Sequence, residues 1–66
     1  MRIEVNGHTR EFADGTSLAE VLQAEGLAGR RVAIEVNLEL VPRSQHAALA
    51  LKHGDRVEIV QAMGGG

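Results

Sequence analysis

Cysteine is absent from this 66-residue chain, so it carries no disulfide, no thiolate zinc site and no thiol nucleophile. Tryptophan and tyrosine are missing too, which leaves Phe12 as the one aromatic residue. Single-stranded nucleic-acid modules stack bases on aromatic rings, and this chain has no such platform. A net charge of −2 also works against binding a phosphate backbone. No apolar run approaches the length that spans a bilayer. Met1-Arg2-Ile3-Glu4 sets an acid where a signal peptide needs an apolar stretch. The expectation is a cytoplasmic protein with neither nucleic acid nor membrane as partner.

Catalytic signatures are equally scarce. No nucleophile–base pair, carboxylate dyad or phosphate loop can be read, and Gly64-Gly65-Gly66 has no helix after it to cradle an anion. His8, His46 and His53 match no ligand spacing and have no carboxylate cluster beside them. They are expected in surface or turn positions, with no metal bound and no catalytic side chain. Arg30, Arg31, Arg43, Lys52 and Arg56 are interleaved with acids and are expected to be solvated charge.

What the chain does have is a 44% share of hydrophobic residues, enough for one globular core. Ile3 and Val5 alternate with Arg2 and Glu4, the period of a half-buried strand. Asn6-Gly7 then signals a tight hairpin, with His8 to Phe12 returning. Ser17-Leu18-Ala19-Glu20 has the form of a capping box, and Leu18, Val21 and Leu22 give the helix an apolar stripe. Gly26 ends it after about two and a half turns, with Leu27 folding back. Val32, Ile34 and Val36 form a third strand. Asn37 to Glu39 turn into a short strand at Leu40-Val41, which Pro42 stops. Ala47 to Leu51 read as a helical turn or an irregular cover. His53-Gly54-Asp55 leads into a last strand, Arg56 to Gln61, with Val57 and Ile59 inward and Val60 outward.

That order predicts an α+β fold of the ubiquitin-like β-grasp kind: a mixed sheet of four to five strands, parallel at its centre, packed on one main helix. Residues 1–66 are expected to form a single domain, with residues 62–66 as a flexible tail. Val60 and Ala62 share one side of the last strand. With Met63 they are candidates for an apolar docking strip, set against the ordinary alternative of scattered exposed residues.

Three features go beyond fold class: Val41-Pro42-Arg43, the run "HGDRVEIV" at 53–60, and the terminal Gly65-Gly66. Together, in a chain of this length, they resemble the ThiS family of thiamine-biosynthesis sulfur carriers. The likeness runs from "MRIEVNG" through "GTSLAEVL" to Gly66. It implies a carrier rather than an enzyme, with no cofactor bound. In that family an E1-like adenylating enzyme activates the C-terminal glycine carboxylate with ATP and magnesium. Sulfur from a cysteine desulfurase converts the carboxylate to a thiocarboxylate, which thiazole synthase consumes. Gly66 takes the acceptor position, and Gly65, Gly64 and Met63 form the arm inserted into partner active sites. The small subunit of molybdopterin synthase and a ubiquitin-like protein modifier are alternatives with the same ending. The Val-Pro-Arg stretch favours the thiamine carrier, and Gly64 has no assigned role beyond slack.

Elementary chemistry supports such an arm. A terminal carboxylate has a pKa of about 3.3–3.7 and is a poor acyl electrophile at neutral pH until an oxygen becomes a leaving group. Five extended residues reach at most about 17 Å, enough to enter a neighbour's active site. Glycine lacks Cβ, so it fits a narrow channel at whatever φ the channel imposes.

Overall fold

A computed structural model describes residues 1–61. β1 (Arg2–Val5) and β2 (His8–Glu11) form the expected hairpin, with Arg2 opposite Glu11 and Val5 opposite His8. Asn6 at φ +49° and Gly7 at φ +83° supply the two left-handed residues that such a turn requires. β3 (Val32–Val36), β4 (Glu39–Leu40) and β5 (Arg56–Gln61) complete one five-stranded sheet in the order β2-β1-β5-β3-β4. β1 and β5 run parallel, and every other neighbouring pair is antiparallel. The predicted β-grasp is thereby realised, with the last strand at the centre of the sheet.

The helix α1 (Leu18–Ala24) is seven residues long, slightly shorter than expected. Its capping box forms: Glu20 N–H donates to Ser17 Oγ at 3.1 Å, and Ser17 N–H donates to Glu20 Oε1 at 2.9 Å. The next two orphan donors go to the loop that follows β4. Leu18 N–H reaches Leu49 C=O at 2.9 Å, and Ala19 N–H reaches His46 C=O at 3.0 Å. At the other end Gly26 sits at φ +77°, and Leu27 N–H closes back onto Leu22 C=O at 2.8 Å. Leu18 and Val21 are fully buried, against Ile3 and Val5 from β1, Ile34 from β3 and Val57 from β5. No helix among the described residues is long and apolar enough to cross a membrane.

Of the two forms expected for Ala47 to Leu51, the structure shows the irregular cover. A short 3-10 turn, not expected from the sequence, precedes it at Arg43–Gln45. Pro42 at φ −61° starts it, since proline cannot extend the sheet. Beyond it Leu51 drops into the core and Ala50 bridges back to Ser17. His46 lies in a turn, one of the two positions expected for it, yet is buried: it is 7% exposed, with Nε2–H donating to Val41 C=O at 3.0 Å. The imidazole fills the corner between the loop and α1 and takes up a carbonyl that the short β4 leaves over.

Candidate functional site

Everything the sequence points to lies at the end of β5, so the site begins with how that strand is held. β-branched residues dominate its inward face, and Val57 and Ile59 are buried while Arg56, Glu58 and Val60 point outward, as expected. β1 pairs only with its first half, Glu4 opposite Arg56 and Val5 opposite Val57, before turning away at Asn6.

The Asn6 carboxamide then continues the pairing. Its Oδ1 accepts Ile59 N–H at 2.7 Å, and its Nδ2 donates to Ile59 C=O at 3.3 Å. One side chain therefore substitutes for a strand residue and satisfies both backbone groups of Ile59. Past Ile59 the strand is paired, among the described residues, on one side only, through Val60 opposite Ala33 and Gln61 opposite Val32. Asn37 steadies the other end of β5: Arg56 N–H donates to its Oδ1, and its Nδ2 donates to Asp55 Oδ1, both at 3.0 Å.

Val60 is 64% exposed on the outer face of the sheet, beside exposed Ala33. One turn of the pleat away, Glu58 lies directly opposite Glu35, and neither is ion-paired among the described residues. Like charges in register destabilise a sheet modestly. Farther back Arg56 Nε meets Glu4 Oε2 at 3.2 Å, an exposed pair worth about 0–1 kcal/mol. Sequence reasoning missed two large exposed apolar residues, Leu38 and Leu40, on the β3–β4 hairpin. Leu40 is opposite Glu35, in the row of the acid pair, and Val60 is opposite Ala33, one row along.

The remaining candidates, Ala62, Met63, Gly64, Gly65 and Gly66, lie outside the described residues. Of the histidines, His8 is exposed at the hairpin and His53 accepts Arg2 N–H on Nδ1 at 3.0 Å. Among the described residues no three His, Asp or Glu side chains gather as a metal would require.

Comparison with known proteins agrees with this geometry. A thiamine biosynthesis protein, ThiS, from Geobacter metallireducens has a crystal structure that superimposes with a TM-score of 0.84 at 35% identity, covering all of both chains. Thiazole synthases of Paramagnetospirillum magneticum and Magnetococcus marinus are 41% and 36% identical over all 66 residues. The chain spans only 20% of the length of each of those two proteins. With the model of the ThiS family matching residues 3–66, the chain belongs to that family.

Proposed function

We propose that this chain carries sulfur for the thiazole step of thiamine synthesis, as a co-substrate of other enzymes, with the carboxylate of Gly66 as the group that is loaded. The observation that carries the proposal is the family match running through Gly65 to Gly66, the latter five residues beyond a strand whose end is, among the described residues, paired on one side only.

In this reading a carboxylate oxygen of Gly66 attacks the α-phosphate of ATP inside an E1-like enzyme, and pyrophosphate leaves. The mixed anhydride is the acyl electrophile that the bare carboxylate is not. Persulfide sulfur supplied by a cysteine desulfurase system then displaces AMP, and reduction leaves a thiocarboxylate. Thiazole synthase is the consumer. Two thiazole synthases contain a segment matching this whole chain, which supports a carrier and a synthase working together.

Gly65, Gly64 and Met63 form the arm, and Val60 with Ala62 the apolar contact at its base. The carboxylate must thread a partner's channel, and residues without Cβ pass most easily. Deleting Gly66, or extending the chain past it, should abolish sulfur transfer in a reconstituted thiazole synthesis while leaving the melting temperature within about a degree or two, because tails contribute little to packing. Full activity from an extended chain whose extension is shown to persist would defeat the proposal.

A further inference from the structure

β3 has a second edge, opposite the one that holds β5. β4 covers only Glu35 and Val36 of it, and Val41 N–H adds one bond to Ile34 C=O at 2.8 Å. Pro42 then turns the chain out of the sheet. Antiparallel alternation sends the N–H and C=O of Val32 to this same edge. Among the described residues nothing pairs with either group.

A groove of about 550 Å³ runs along that edge. Leu22 of α1 and Leu27 form its apolar side, while Arg30, Arg31 and Arg43 stand on its rim. No acid lines it. The chain as a whole has nine acids against seven Lys and Arg, so three arginines around one groove reverse the net charge locally. None of the three is ion-paired among the described residues. An open strand edge, an apolar wall and an uncompensated positive rim are separate features that one kind of ligand satisfies together.

We propose that the groove between α1 and the open edge of β3 binds an extended acidic peptide segment of a partner protein, which adds to β3 as a further strand beside Val32. Backbone pairing at Val32 provides the anchor, and alternate apolar side chains of the segment reach Leu22 and Leu27. Carboxylates flanking those residues meet Arg30, Arg31 and Arg43, whose planar forks suit bidentate pairing. The added strand lies two strand spacings from β5, about 10 Å away. A partner held there can receive the segment beyond Gln61 without releasing the groove. The binding is independent of any chemistry at Gly66, so it survives or fails separately from the sulfur-carrier proposal.

The test is a titration of the isotope-labelled full chain, followed by amide chemical shifts. The probe is a capped octapeptide of alternating valine and isoleucine with an aspartate and a glutamate at each end. A control peptide has serine in place of every acid. The acidic peptide should give saturable shifts confined to residues 28–33 and 43–47 and the adjoining face of α1. Arg30→Glu with Arg31→Glu, both exposed, should leave the spectrum folded, weaken the acidic peptide about tenfold or more, and admit a lysine-flanked peptide instead. Absence of saturable shifts at those amides, equal binding of the serine peptide, or shifts centred on Val60 would overturn the proposal. So would a short single-stranded RNA that perturbs the same amides more strongly than the acidic peptide, since that would assign the arginines to phosphates.

Discussion

Replacing Asn6 with glycine isolates the device that completes the edge of β5. Glycine keeps the left-handed backbone at φ +49° without strain, so the turn itself survives. What is lost is the pair of hydrogen bonds to Ile59, at 2.7 and 3.3 Å, next to a residue only 8% exposed. Each bond contributes about 0.5–1.5 kcal/mol net, so the two together account for about 1–3 kcal/mol. Greater freedom of the unfolded chain adds about 0.4–1 kcal/mol to the loss. A domain of this size has roughly 3–10 kcal/mol of stability in total, so the change is a large fraction of it. At about 4–8 °C per kcal/mol the melting temperature should fall by at least about 6 °C. Urea denaturation measures the free energy, with the slope expected to stay constant. Hydrogen exchange should show the Ile59 amide exposed in the native state while those of Val57 and Ile34 stay protected. An Asn6→Gly chain within about 0.5 kcal/mol of the unmodified one would refute the reasoning, because that is the ordinary range of a surface substitution.

Other perturbations follow from the same contacts. Ser17→Ala removes the helix cap and should cost about 1 kcal/mol, measurable by denaturation. Hydrogen bonds from the Ser17 backbone and then its side chain hold the Glu20 carboxyl below its ordinary pKa of 4.5. A lowered folded-state pKa means that this stabilisation is present above about pH 4.5 and is lost as pH falls through the folded value. Glu20→Gln should therefore flatten the acid limb of the stability profile, and an unchanged limb would contradict the assignment. Leu38 lies at φ +71° and is 78% exposed, so Leu38→Gly relieves backbone strain with little packing to lose. It should stabilise the fold by up to about 1 kcal/mol, the left-handed penalty less the entropy glycine adds to the unfolded chain. A fall in the denaturation midpoint would show that Leu38 is held by contacts stronger than its strain.

Local chemistry made much of this legible from residues alone. The Asn6-Gly7 turn, the Ser17/Glu20 box and the Gly26 stop each depend on groups within a few positions of one another, and each is in place. The alternation in β5 was equally readable, since Val57 and Ile59 are buried between exposed Arg56, Glu58 and Val60. What escaped were long-range effects. Asn6 reads as a turn residue, and its second task at Ile59, 53 positions away, exists only once the sheet has formed. His46 looks like any polar residue in a loop, and only the early stop of β4 leaves a carbonyl for it to satisfy. The free edge at Val32 has the same origin: Pro42 and the strand through Val32 were both visible, but not that the one leaves the edge of the other uncovered.

The central claim is that the carboxylate of Gly66 is the working group, and intact mass tests it most directly. The chain ending at Gly66 is incubated with ATP, magnesium, an E1-like activating enzyme and a cysteine desulfurase system supplied with cysteine and a reductant. The account predicts a gain in mass equal to exchanging one oxygen for one sulfur, located at Gly66 by fragmentation and lost on transfer to thiazole synthase. An unchanged mass beside a related carrier that the same enzymes do load, or a sulfur located anywhere other than Gly66, would contradict it.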